Sequence, residues 1–115
     1  MIKTDTGLRY EDKKIGTGSA ATVGNSVAIH YICWIKGFGN EPVKIGETAR
    51  SDPFWFTIGD KKVIAGWDEA VRGMKAGGVR EVIIPPHLGY GAEGLGKKVP
   101  PNSELITEIE LFIVS

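Results

Sequence analysis

The stretch "GWDEAVRGMKAGG" (66–78) constrains the fold most, because it has the period of a helix in a chain that otherwise alternates. Its apolar residues recur at positions i, i+3, i+4 and i+7: Trp67, Ala70, Val71 and Met74. Its charges suit the helix dipole, with acids in the first turn and bases in the last: Asp68, Glu69, Arg72 and Lys75. We predict a helix of about two to three turns that ends at Gly77 or Gly78.

The segments around this helix show the period of two that is typical of strands. In "SVAIHYICWIK" (26–36), one face holds Val27, Ile29, Tyr31, Cys33 and Ile35. Further strands are predicted at 54–58, 79–84 and 105–114, with a short one at "GLRYED" near the N-terminus. In the strand at 105–114 we expect these residues to point inward: Leu105, Ile109, Leu111 and Ile113. Segment 37–53 is predicted as a loop or irregular edge, and 87–104 as a long loop.

This order of elements decides the fold class. One short helix cannot supply the crossover connections that a parallel sheet requires. The economical solution is therefore an α+β fold in which an antiparallel sheet packs on a single helix. The length of 115 residues suits one domain, so we assign residues 1–115 to a single unit.

Composition argues against several classes of function. Lys plus Arg and Asp plus Glu both number 14, so the basic excess that is usual in nucleic-acid-binding proteins is missing. The single cysteine, Cys33, cannot form an intrachain disulfide, and its apolar surroundings favour a buried thiol. His30 and His87 are far apart without other strong ligands nearby, so no metal site or cofactor is expected. Because no apolar run is long enough for a membrane span or leader, a cytoplasmic location is expected.

The remaining chemistry lies in aromatic and aliphatic residues. "GYGAEG" (89–94) matches a dinucleotide-binding pattern, but it follows a Pro-Pro pair and opens no helix, so that interpretation fails. What is left is an apolar set without a nucleophile, a metal ligand set or a phosphate-binding loop: Tyr31, Phe54, Phe56, Val63, Ile64, Trp67, Tyr90 and Val99. By themselves these residues are compatible with a hydrophobic core or with the wall of a binding site.

The order and spacing of several motifs resemble those of the FKBP-type peptidyl-prolyl cis-trans isomerases, the immunophilins that bind tacrolimus and rapamycin. The motifs are "VIAGWDEAVRGM", with "PFWF" before it and "GYGAEG…VPPNSEL" after it, together with "GLRYEDKKIGTG" and "VGNSVAIHY". The resemblance implies a twisted antiparallel sheet of about five strands wrapped around one short helix. It also implies a monomer, and the short loop between Tyr90 and Pro100 leaves no room for the chaperone domain that some members insert there.

The resemblance further implies an enzyme that accelerates rotation about Xaa-Pro bonds in peptides and unfolded proteins, without a cofactor. The residues that match the family's substrate-binding positions are Tyr31, Phe54, Val63, Ile64, Trp67, Tyr90 and Val99. Of these, Trp67 would form the floor, the Ile64 backbone N–H would bind a ligand carbonyl, and the Tyr90 hydroxyl would donate to the carbonyl before proline. Phe56 shares the face of Phe54 but is expected to belong to the core.

The chain also departs from the family pattern. The usual Phe-Asp pair is missing, and its nearest equivalents are Ile45-Gly46 or Val43-Lys44. Thr107 stands where an aromatic or large apolar residue is usual, and Lys98 where an aliphatic one is. Because these changes open or polarise the pocket, we expect weak isomerase activity and weak binding of macrolides such as tacrolimus or rapamycin. The alternatives are a non-catalytic module that binds proline peptides, and a folding helper that captures chains with loop 87–101.

Overall fold

The structure, a computed structural model, describes residues 1–36, 42–96 and 98–115. Within these residues the elements are β1 (Ile2–Lys3), β2 (Arg9–Lys14), β3 (Ser26–Lys36), β4 (Pro42–Glu47), β5 (Phe54–Thr57), α1 (Ala65–Val71), β6 (Val79–Ile84), a 3-10 turn (Pro86–Leu88) and β7 (Leu105–Val114). The strands form one sheet in the order β1-β2-β6-β7-β3-β4, and β5 also pairs with β3. Every pairing is antiparallel, so the predicted α+β class is confirmed.

The long strand β3 organises the sheet. Along one edge it pairs with β7 over nearly its whole length. Along the other edge its first half pairs with β5, as far as Ile29, and its second half pairs with β4, from Ile32 onward. The partner strand therefore changes at His30 and Tyr31, where the edge of the sheet opens.

The strand β4 decides between the two expectations for segment 37–53. Residues 42–47 form an edge strand that is irregular at Ile45, where its register on β3 shifts, whereas residues 37–41 lie outside the described part of the chain. The sheet has seven strands in the described residues, against about five expected. The turn-forming composition is compatible with this strand because an edge strand tolerates a proline at its first residue, here Pro42.

The helix is shorter than predicted. It ends at Val71, and the chain turns at Gly73, whose φ of 82° is in the left-handed region that glycine adopts without strain. Gly77 and Gly78 therefore do not end it, and no basic residue lies in its last turn. Met74 is still buried beside the helix, because the turn returns it to the core.

One inward position on β7 is also wrong. Leu105, Ile109 and Leu111 are fully buried as expected, but Ile113 is 47% exposed. The cause is a bulge: Ile29 pairs with Leu111 whereas the preceding Ala28 pairs with Ile113, so the alternation of faces shifts between them. The core thus lies between one face of the sheet and α1.

Candidate functional site

Trp67 lies at the base of a cavity between the helix and the sheet. It follows Gly66, where a Cβ atom would stand only 2.5 Å from Cγ2 of Ile84, so the helix packs directly on β6. The indole is 9% exposed, and its Nε1–H donates to the Thr107 hydroxyl at 3.3 Å. That hydroxyl donates to the Cys33 thiol at 3.4 Å. A short polar chain therefore fixes the orientation of the indole from below.

Two aromatic rings stand beside the indole. The centroid of the Tyr31 ring lies 4.4 Å from that of Trp67. The Phe54 ring meets both edge-on, at centroid distances of 6.2 Å from Tyr31 and 6.0 Å from Trp67. Tyr31 is held by Thr48, whose hydroxyl accepts its backbone N–H at 3.0 Å and whose backbone N–H donates to its carbonyl at 3.1 Å. These rings occupy the opening where β3 changes partner.

The loop after β6 supplies the next wall, from Tyr90 and Val99. The Leu95 N–H donates to the Val99 carbonyl at 2.8 Å, which closes the loop into a tight turn. Gly94 is required beneath this turn, because its φ is 68° and any Cβ there would collide with the Val99 carbonyl. Tyr90 is half-buried, and its carbonyl accepts the Gly94 N–H at 3.1 Å.

The fourth wall comes from β4, where one of the two residue pairs named as equivalents of the Phe-Asp pair lines the cavity. Ile45 and Gly46 line the cavity, whereas Val43 and Lys44 are exposed. A Cβ on Gly46 would lie 3.6 Å from Cε2 and 3.7 Å from the hydroxyl of Tyr31. A side chain at this position would therefore contact Tyr31 directly, and glycine leaves that space open.

Together these walls enclose about 100 Å³, a space that we call the aromatic cavity. Its lining residues are Tyr31, Cys33, Ile45, Gly46, Trp67, Tyr90, Leu95, Lys98 and Val99. The cavity is far smaller than the roughly 300–1,000 Å³ that is usual for drug-sized ligands. It suits a single small side chain.

The predicted site residues are divided between two spaces. Tyr31, Trp67, Tyr90 and Val99 line the aromatic cavity. Phe54 and Val63 line a separate groove of about 310 Å³ that also contains Trp55, and the Phe54 ring lies 6.0 Å from the Trp67 ring of the cavity. Phe56 is buried in the core, as expected.

Ile64 contributes its backbone. As the N-cap of α1, its carbonyl accepts the N–H groups of Trp67 at 3.1 Å and Asp68 at 3.3 Å. Within the described ranges, no backbone or side-chain acceptor takes the N–H of Ile64 itself. This donor is therefore available for a ligand carbonyl.

Desolvation favours the neutral forms of two tyrosines and one thiol in the cavity lining. Desolvation raises the pKa of Tyr90 above its usual value, with smaller contributions from Cys33 and Tyr31. Desolvation likewise raises the pKa of Tyr31 and that of the Cys33 thiol. The two tyrosine hydroxyls therefore remain protonated hydrogen-bond donors at neutral pH.

Sequence reasoning misjudged the role of Thr107 and did not place Cys33 in this site. Thr107 was expected to open or polarise the pocket itself, but it is fully buried and acts beneath Trp67 as a hydrogen-bond partner. Cys33 was expected to be a buried thiol, which is confirmed, yet it also reaches the base of the cavity. The sequence held no signal for this contact, because it depends on the register by which Cys33 pairs with Thr107.

With this geometry in view, comparison with known proteins identifies the family. Residues 17–112 match the sequence profile of FKBP-type peptidyl-prolyl cis-trans isomerases. The chain belongs to this family.

Individual relatives agree with that assignment. A FK506-binding protein of Neisseria meningitidis serogroup B is 41% identical over 108 residues, which is 94% of this chain and 96% of that protein. FK506-binding protein 4 of Aspergillus fumigatus is 40% identical over 111 residues, which is 96% of this chain but only 22% of that protein. The crystal structure of a peptidyl-prolyl cis-trans isomerase from Pseudomonas syringae superposes with a TM-score of 0.86 at 28% identity, covering 99% of this chain and 80% of that one.

Two further observations describe this FKBP-type chain. In the part of the chain that the structure describes, none of the helices is both long and apolar enough to span a membrane. Among the same residues, the His, Cys, Asp and Glu side chains form no group of three that could ligate a metal ion.

Proposed function

We propose that this chain catalyses cis-trans isomerisation of Xaa-Pro peptide bonds in the aromatic cavity. The observation that carries the proposal is the Tyr31–Phe54–Trp67 arrangement around a cavity the size of one small side chain. A proline ring can stack on the Trp67 indole, the largest flat apolar surface of the cavity. The family membership and the available hydrogen-bond donors of Tyr90 and Ile64 support this proposal.

The reaction needs no charged catalytic group, because no covalent bond is made or broken. The barrier of about 18–20 kcal/mol is the loss of amide resonance on twisting. Water stabilises the planar amide, which is the more polar form, better than the twisted one. An apolar cavity removes that advantage and therefore binds the transition state relatively better than the ground state.

Three residues carry specific roles in this proposal. Trp67 forms the floor beneath the proline ring, in an orientation set by the Thr107 hydroxyl. Tyr90 donates from its neutral hydroxyl to the carbonyl that precedes proline, while the Ile64 N–H holds a carbonyl on the other side. Phe54, Val63, Val99 and Tyr31 complete the binding surface.

A tyrosine substitution tests the role of the Tyr90 hydroxyl. Tyr90→Phe should lower kcat/KM for a proline tetrapeptide by roughly fivefold, because one neutral hydrogen bond contributes about 1 kcal/mol. Exchange NMR on the cis and trans peptide signals measures this rate. Tyr10→Phe is the matched control, since Tyr10 packs beneath Arg80 at 4.3 Å and does not line the cavity. Equal losses in both variants would contradict the assignment.

A binding module without useful catalysis is the second candidate, and Gly46 is the observation that favours it. Because Gly46 has no side chain, the space beside the Tyr31 hydroxyl is open and this wall of the cavity is incomplete. If the protein binds proline peptides in an NMR titration but never accelerates their exchange, this candidate replaces the first.

Macrolide binding is expected to be weak. The aromatic cavity is small, Lys98 introduces a charge at its lining, and Ile45 with Gly46 offers less contact than an aromatic residue and an acid would. We expect a dissociation constant for tacrolimus in the micromolar range by isothermal titration calorimetry. A nanomolar value would contradict this prediction.

The remaining assignments accompany this proposal. The substrates are proline-containing segments of peptides and unfolded proteins, and the domain acts as a monomer without nucleic acid or membrane. The Aspergillus fumigatus relative is much longer, with the chain spanning 22% of its length, so these assignments concern the activity of this domain. A cytoplasmic location stays a prediction, which cell fractionation would check.

A further inference from the structure

Lys98 is a charged residue in the lining of the aromatic cavity. Among the residues that the structure describes, nine line this cavity, and the other eight are apolar or neutral at physiological pH. The Lys98 side chain is exposed, whereas its neighbour Val99 is buried. Because Lys98 both lines the cavity and is exposed, its side chain lies at the mouth of the cavity rather than inside it.

The backbone that carries Lys98 is held in place. Its N–H donates to the Leu95 carbonyl at 3.1 Å, and the Leu95 N–H donates to the Val99 carbonyl at 2.8 Å. The Lys98 side chain is thus a flexible cation on a fixed turn, which can reach a range of carboxylate positions.

No carboxylate of the protein neutralises this cation within the described residues. None of the ion pairs found there includes Lys98. On the facing strand β4, Glu47 is already paired with Lys44 at 2.8 Å. The positive charge also reaches the base of the cavity, where it partly offsets the desolvation that raises the pKa of Cys33.

We propose that Lys98 selects substrates with an acidic residue immediately before the proline. This inference rests on the proposed function. Tyr90 and Lys98 belong to the same loop and line the same cavity, so a residue whose carbonyl binds to Tyr90 has its side chain within reach of the Lys98 ammonium group. A Glu or Asp side chain there pairs with the ammonium group, whereas a Lys side chain is repelled.

The test compares acetylated Ala-Xaa-Pro-Phe amides, with Glu, Gln or Lys at Xaa, by exchange NMR. At low salt the wild-type protein should show kcat/KM about two- to fivefold higher for Glu than for Gln, the range expected for a solvent-exposed ion pair. Lys98→Gln should bring this ratio to unity, and Lys98→Glu should invert it in favour of the Lys peptide. Added salt should lower the wild-type ratio, because ions screen the pair.

Lys75→Gln is the matched control, because it removes the same charge from a residue that does not line the aromatic cavity. It should keep the wild-type preference for Glu. A preference for Glu that survives in Lys98→Gln, or equal wild-type rates for the Glu and Gln peptides, would overturn the inference. Neither result would contradict the proposed isomerase activity. Failure to accelerate any peptide would instead overturn the proposed function.

Discussion

Replacing Trp67 with alanine is expected to lower kcat/KM for proline isomerisation by roughly ten- to a hundredfold and to destabilise the fold by about 3–5 kcal/mol. The catalytic loss follows from removal of the surface on which the proline ring stacks. The stability loss follows from burial, since the indole is only 9% exposed and contacts the rings of Tyr31 and Phe54. Exchange NMR and urea unfolding measure the two effects separately.

A second tryptophan provides the control. Trp34 lies on the outward face of β3, is only partly buried, and pairs in register with Ile106. Trp34→Ala should therefore leave kcat/KM unchanged and cost less stability than Trp67→Ala. Trp67→Phe, which retains a ring but loses the N–H bond to Thr107, should have an intermediate activity. If Trp67→Ala stays folded by circular dichroism and keeps wild-type kcat/KM, the floor of the site is elsewhere.

Replacing Arg80 with methionine is expected to destabilise the fold by about 3 kcal/mol. The Arg80 side chain is 10% exposed and pairs with Asp12 at 2.7 Å. It also donates to the Ala70 carbonyl at 2.9 Å and the Arg72 carbonyl at 3.4 Å, so it satisfies carbonyls at the end of α1. Methionine keeps similar volume but leaves these acceptors unpaired. Urea unfolding, read as a shift in midpoint at constant slope, measures the effect.

Arg50→Met is the control for that experiment. Arg50 also bonds both carboxylate oxygens of a partner, Glu110, but its side chain is 63% exposed. Solvent screening limits such a pair to about 0–1 kcal/mol. If the two variants lose equal stability, neither the burial of the Arg80–Asp12 pair nor the hydrogen bonds of Arg80 to backbone carbonyls explains the loss.

The fold class and most strands could be predicted from the sequence because they depend on local periodicity. The β3 and β7 segments were bounded correctly at 26–36 and 105–114, since the alternation of apolar residues is continuous through each. The helix was placed correctly at its start but not at its end. Its apolar stripe continues to Met74, which reaches the core through a turn rather than through another helical turn.

The candidate site was predicted in part. Residues that were named because their motifs resemble those of the family, such as Trp67 and Tyr90, lie around one cavity. The wall formed by Ile45 and Gly46 could not be chosen from the sequence, because two neighbouring pairs were equally compatible with the spacing. The register of β4 on β3 decides between them, since Gly46 pairs with Cys33 and Ile45 reaches the cavity.

The sequence by itself therefore determined the antiparallel sheet, the single helix and the family motifs, because period and spacing are properties of neighbouring residues along the chain. Only the tertiary structure decided the bulge that exposes Ile113, the hydrogen bonds that join Trp67, Thr107 and Cys33, and the place of Lys98 at the cavity mouth. These depend on strand register and on loop closure. Both are set by contacts between residues that are far apart in sequence, which no local pattern specifies.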